Sequence, residues 1–240
     1  MTQGPIALVG SGEYLPSMSD IEGGLIAGRP PRYVQIPTAA AREGEDRLTY
    51  WVNLGKAQAA LLGVEAVPLV VMDHAQANDP DVAAQVSGAG LIYLSGGDPG
   101  YLADVLRDSA LWKAIVAAWE AGAALAGCSA GAMVMATHVP DLRHPFGGGR
   151  TGLGLLPRLQ VIPHFDRMLG WMPDLLTRPI FRPKPGVTLV GVDEETALVG
   201  GPGEFVVQGR RSAWVLGEGP RREIPPGGML MLPTDSDAVE

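Results

Sequence analysis

The chain contains a single cysteine, Cys128, in 240 residues. One cysteine excludes an internal disulfide and any cysteine-rich zinc site, and no metal or cofactor is expected. Basic charge is also scarce: 18 Lys and Arg stand against 26 Asp and Glu, for a net charge of −8. Nonspecific nucleic-acid binding needs clustered Lys and Arg against phosphate, and no basic patch with interleaved aromatics occurs, so nucleic acid is not an expected partner. No uninterrupted apolar run reaches the roughly 20 residues that a membrane span requires. Before Pro5-Ile6-Ala7-Leu8-Val9 there is neither a positively charged region nor an A-x-A site. No secretory signal is therefore read, and a cytoplasmic location is the expectation.

What is present is a core. Hydrophobic residues make up 46% of the chain and charged residues 18%, a globular composition. The length suits one large domain over residues 1–232, followed by an acidic, frayed tail at 233–240. Short apolar runs at Ile6–Val9, Tyr33–Ile36, Val67–Val71, Leu91–Leu94 and Ala123–Leu125 predict buried strands. Helical stretches are expected between them at Met18–Ala27, Arg42–Leu62, Pro80–Val86 and Tyr101–Ala121, the last split at Ser109, a good N-cap. Near-continuous apolar strands alternating with helices imply an α/β fold, with a mostly parallel sheet covered on both faces. After about residue 140 the pattern changes to a Gly-rich loop ending in Arg150, and then to short strands. These are 160–162, 188–192, 197–199, 204–208, 213–216 and 229–232, with Gly/Pro turns between several of them. They read as an antiparallel C-terminal extension of the parallel sheet. No internal repeat is present.

Chemistry is concentrated in Gly127-Cys128-Ser129-Ala130-Gly131, a G-x-S-x-G run directly after a small-apolar strand. Such a run places the serine on a sharp strand-to-helix turn, with its hydroxyl lifted clear of the sheet and backbone N–H groups behind it. A serine nucleophile needs a base, and the base needs an orienting group. Four histidines are available. His164 follows a strand end, His144 lies in the Gly-rich loop, and His74 and His138 read as surface or packing residues. Asp193, Glu194 and Glu195 end another strand, and pattern alone does not choose among them. Ser11, Asp98 and Ser129 all follow predicted strands, which brings them to one cleft beyond the carboxyl ends of the sheet.

Four ordered stretches narrow the choice. They are Leu91-Ile92-Tyr93-Leu94-Ser95-Gly96-Gly97-Asp98-Pro99, Gly127–Ala132, Gly152–Pro157 leading to Pro163-His164-Phe165, and Gly191–Ala197. Together they resemble the dipeptidase E / cyanophycinase family of serine peptidases, which share the class I glutamine amidotransferase-like fold. The resemblance implies Ser129 as nucleophile, His164 as general base and acid, and Glu194 as the group that orients the histidine. It implies oxyanion donors at the backbone of Gly97 and Ala130. Asp98 and Arg167 are candidate substrate-binding residues, and Arg150 is a second candidate cation for a substrate carboxylate. The order Ser, His, Glu differs from the Ser, Asp/Glu, His order of α/β-hydrolases, the other common owners of G-x-S-x-G.

The chain also departs from its relatives. Pro99 and Ile162-Pro163 stand where cyanophycinases carry Gln and an Asp-Gln pair, which speaks against cyanophycin as substrate. Gly96-Gly97-Asp98-Pro99 replaces the Gly-Gly-Gly-Asn turn of dipeptidase E members, so strict Asp-X specificity is not expected. The reading is a serine peptidase that cleaves a small peptide or isopeptide through an acyl-enzyme, as a monomer or homodimer. The alternatives are an amidase or glutamine amidotransferase-like protein, or a non-catalytic binding protein on the same fold.

Overall fold

In a computed structural model, residues 2–141, 149–168, 183, 185–217 and 219–233 are described. The first half of the chain runs β1 (Ile6–Val9), α1 (Ser19–Ile26), β2 (Arg32–Ile36), α2 (Glu45–Leu61), β3 (Glu65–Pro68), α3 (His74–Ala77), α4 (Pro80–Ala84) and β4 (Leu91–Leu94). It continues through α5 (Pro99–Leu106), α6 (Ala110–Glu120), β5 (Ala124–Cys128), α7 (Ala130–Val134), β6 (His138–Val139), β7 (Arg150–Thr151), β8 (Leu159–Ile162) and α8 (Phe165–Met168). Six strands follow: β9 (Thr188–Val192), β10 (Thr196–Gly201), β11 (Glu204–Gly209), β12 (Ala213–Leu216), β13 (Arg222–Ile224) and β14 (Met229–Met231).

The apolar runs become the middle of an eight-stranded sheet in the order β14-β11-β10-β1-β5-β4-β2-β3. From β3 to β1 all neighbours are parallel, and β10, β11 and β14 add antiparallel pairs beyond β1. Every residue of β1, β4 and β5 is buried because the sheet is covered on both faces. Successive side chains of a strand point to opposite faces. Ile6, Leu8, Ile92 and Leu94 accordingly join Leu102, Leu106 and Ile115 of α5 and α6 in one apolar layer. Ala7, Val9, Leu91 and Tyr93 join Ile21, Leu25 and Ala59 of α1 and α2 in the other.

The helix expected over Tyr101–Ala121 divides as read: Ser109 Oγ accepts from Trp112 N–H at 3.0 Å and caps α6. Elsewhere the boundaries move. The helix expected from Arg42 starts at Glu45, because Gly44 takes φ 101° and closes a 3₁₀ turn over Thr38–Glu43. β3 covers 65–68 and not 67–71, and β5 extends to Cys128.

The C-terminal extension needs a larger correction. Only β10, β11 and β14 extend the main sheet; β8, β9, β12 and β13 form a separate four-stranded sheet in which β8 and β9 run parallel. Alternation along a strand sets its inward face, not its neighbour, so this partition is invisible in the sequence. The chain passes from the small sheet to the large one at Asp193-Glu194-Glu195, between β9 and β10.

Candidate active site

Ser129 sits between β5 and α7, at the carboxyl end of a central parallel strand, with φ 49° and ψ −108°. The flanking glycines of G-x-S-x-G are there because backbones nearly touch. A Cβ on Gly127 would lie 2.4 Å from the Gly131 carbonyl, and one on Gly131 would lie 2.1 Å from Leu94 O. Neither gap admits a methyl group, and in both cases the obstruction is main chain. Gly131→Ala is therefore expected to destabilise the fold by about 3 kcal/mol or more, read by urea unfolding. A loss below about 1 kcal/mol would mean that the elbow packs less tightly than this.

His164 and Glu194 arrive from the small sheet. β8 and β9 are parallel, with Ile162 opposite Gly191, so the segments after both strands emerge side by side. His164 Nε2 lies 3.2 Å from Ser129 Oγ, and its Nδ1 lies 3.1 Å from Glu194 Oε1. The two residues after Phe165 also act on Glu194. Asp166 Oδ1 accepts from the Glu194 N–H at 2.9 Å, and Arg167 Nε donates to Glu194 Oε2 at 3.1 Å. Arg211 in turn donates to Asp166 Oδ2 at 2.6 Å. Asp193 and Glu195 point elsewhere. Asp193 accepts from Trp214 Nε1 at 3.1 Å, with its carboxyl pushed up by burial, and Glu195 pairs with Arg210 at 3.1 Å.

Behind Ser129 the turn after β4 is locked. Gly96 N–H donates to Glu13 Oε1 at 3.0 Å and Asp98 N–H to Ala39 O at 2.8 Å. Gly97 between them has φ 139°, and a Cβ there would strike Ala39 O at 2.3 Å. Among the described residues, the N–H groups of Gly97 and Ala130 make no hydrogen bond. Asp98 accepts from Tyr101 N–H at 2.9 Å and caps α5.

The surrounding cleft has a volume of about 820 Å³ and includes Ser129, His164, Gly97 and Asp98 in its lining, a size suited to a small ligand. Among the described residues, the cations in its lining are Arg42 and Arg150. Arg150 is paired with Asp104 at 2.8 Å, whereas the Arg42 guanidinium lies 4.3 Å over the ring of Tyr101. The Tyr101 hydroxyl donates to Met72 O, which fixes that platform. No group of three His, Cys, Asp or Glu able to hold a metal occurs among the described residues.

Other sequence candidates fall into different places. His74 Nδ1 is bonded to Val105 O at 2.9 Å, and His144 lies outside the described residues, as do positions 145–148 of the Gly-rich loop. Cys128, one residue before Ser129, is buried at 2% exposure, and burial drives its thiol well above the ordinary range. Glu13 and Asp166 were not singled out by sequence reasoning. For Asp166 the sole signal is its place two residues past His164; for Glu13 it is a place at the end of Leu8-Val9-Gly10-Ser11-Gly12-Glu13, a stretch that resembles the family more weakly than the other four.

Four of the five described non-glycine residues with positive φ belong to this region: Tyr14, Ser129, His164 and Glu195. Left-handed backbone at a non-glycine residue is uncommon, and its concentration here marks a built site.

Known proteins resemble this chain over most of its length. The model of peptidase family S51 matches residues 6–206. The chain is 29% identical to a cyanophycinase of Trichormus variabilis over 188 residues, which is 72% of this chain and 59% of that protein. It is 31% identical to a cyanophycinase of Synechococcus elongatus over 171 residues, 65% of this chain and 50% of that one. It thus spans little more than half the length of these relatives. The crystal structure of a peptidase from an acI-B1 actinobacterium superposes with a TM-score of 0.86 at 41% identity, covering 96% of this chain and 97% of the other. A putative peptidase E protein from Listeria monocytogenes shares the fold, with a TM-score of 0.64 at 16% identity over 87% of this chain and 100% of that one. With the model match covering most of the chain, from β1 into β11, this protein belongs to peptidase family S51.

Proposed function

We propose that this protein is a serine peptidase that cleaves a short peptide or isopeptide through an acyl-enzyme. The observation that carries the reading is the hydrogen-bonded line Ser129 Oγ, His164 Nε2, His164 Nδ1, Glu194 Oε1, set on a strained elbow at the mouth of a cleft. Ser129 Oγ attacks the scissile carbonyl while His164 Nε2 takes its proton. Glu194 holds the ring so that Nε2 faces the serine, and it stabilises the imidazolium that forms. The tetrahedral oxyanion falls to the two free N–H groups of Gly97 and Ala130. Because α7 spans only Ala130–Val134, these act as single aimed donors and not as a helix terminus. His164 then returns the proton to the leaving amine, and water repeats the sequence on the ester.

A cleft of about 820 Å³ favours a short substrate over a folded protein. Arg42 has no acidic partner among the described residues, whereas Arg150 and Arg167 are bonded to Asp104 and Glu194. A substrate carboxylate would therefore find Arg42 the most open cation of the three. Cysteine-based amidase chemistry is disfavoured by the buried Cys128 thiol, which has no room to attack and little thiolate to attack with.

The test is labelling with a fluorophosphonate, followed by mapping of the adduct and a panel of short and isoaspartyl peptides. Label is expected on Ser129, and Cys128→Ser is expected to label and turn over within about threefold of wild type, since Cys128 lies outside the proton path. An adduct elsewhere, or a dead Cys128→Ser beside an active Ser129→Ala, would remove Ser129 from the role.

A further inference from the structure

The segment after β1 touches each part of the site in turn. Val9 O accepts from Ser129 N–H at 2.9 Å, Gly10 O from His164 N–H at 3.3 Å, and Ser11 O from Glu195 N–H at 3.1 Å. Two residues on, Glu13 supplies a side chain for the same kind of contact. Its Oε1 accepts from Gly96 N–H at 3.0 Å, with the residue only 6% exposed. Tyr14 adds a second clamp, its hydroxyl 2.9 Å from Ser95 Oγ and reached by Gln35 Nε2 at 2.9 Å. Gly96 is wedged between Glu13 and the nucleophile. A Cβ there would be 3.3 Å from Glu13 Oε2 and 3.5 Å from the Ser129 Cβ.

Placing a carboxyl in this position is costly. Burial pushes Glu13 above the ordinary carboxylate range, and the Gly96 N–H and the Cys128 thiol only partly offset it. An apolar residue would fill the space without that cost, so the acceptor oxygen itself must matter. Its effect is to commit one of two adjacent N–H groups. With Gly96 N–H turned inward to Glu13, and Gly97 held at φ 139° against Ala39, Gly97 N–H is left for the cleft.

We infer that Glu13 is a positioning residue for the reaction, fixing the Gly96-Gly97 turn so that Gly97 N–H is aimed at the developing oxyanion beside Ser129. It never meets the substrate. The inference rests on the reading of Ser129 as nucleophile. Removing an oxyanion donor outright typically lowers kcat by about 10²- to 10³-fold, so freeing this turn is expected to cost at least about tenfold.

Glu13→Met keeps an unbranched chain of similar reach but has no comparable acceptor, whereas Glu13→Gln retains an amide oxygen for Gly96. On a short peptide, Glu13→Met is expected to lower kcat at least about tenfold with KM within about threefold, and Glu13→Gln to stay within about threefold in both. A purely structural role would lower Tm in both variants without this split. Amide exchange on the wild-type protein needs no variant: Gly96 is expected to be protected and Gly97 to exchange fast until a peptide boronate occupies the site. A folded Glu13→Met with wild-type kcat, or a Gly96 amide exchanging as fast as that of Gly97, overturns the inference. Absence of wild-type turnover and of Ser129 labelling would instead strike at the nucleophile, and the exchange experiment would still decide the Glu13 contact.

Discussion

Ser129→Ala is expected to lower kcat/KM on a short peptide by at least about 10⁴-fold while leaving the fold within about 1 kcal/mol of wild type. The reason lies in what the side chain does and does not hold. Ser129 Oγ contacts His164 Nε2, and it is partly open to the cleft. The structural bonds of the residue belong to its backbone: N–H to Val9 O, and O accepting from Met133 N–H. Alanine keeps both, and it leaves no buried donor without a partner. Progress curves and urea unfolding of the same preparation give both halves of the test. A folded variant with more than a few per cent of wild-type activity would place the nucleophile elsewhere.

The second large effect is expected at Glu194. Glu194→Gln can still accept from Arg167, but its amide can present N–H where His164 Nδ1 needs an acceptor, favouring the wrong tautomer. A loss of about 10³-fold or more in kcat/KM is expected, with circular dichroism unchanged. The neighbouring carboxylate is the control. Glu195→Gln loses only an ion pair with a largely exposed Arg210 and is expected within about threefold of wild type. If the two outcomes were exchanged, the orienting role would pass to Glu195.

Much of this arrangement was legible in the sequence, for identifiable reasons. β1 and β4 were read to the residue because strands buried on both faces are apolar throughout. Ser109 announced the split between α5 and α6 because its capping is local chemistry. Ser129 was visible from its flanking glycines alone. The other two members of the line were not: four histidines and three adjacent carboxylates stayed open until a family resemblance chose His164 and Glu194. Their meeting depends on β8 and β9 lying parallel in a sheet of their own, and that pairing left no mark in either strand. Glu13 and Asp166 escaped for the same reason. Each acts through a partner distant in the chain, 83 residues for Gly96 and 28 for Glu194, and no local pattern encodes such a contact.

The left-handed backbones at Ser129, His164 and Glu195 have a consequence for how stable this protein can become. Each sparsely populated conformation costs on the order of 1–3 kcal/mol, which the surrounding hydrogen bonds must hold in place. Glycine would relieve that cost, but at Ser129 and His164 glycine also deletes the side chains proposed to do the work. The usual route to a hardier variant, exchanging strained positions for permissive residues, is therefore closed at the centre of this molecule. Among the described residues, Asp108 is the left-handed non-glycine residue that lies outside the site, and an exchange there offers that kind of gain without touching the cleft.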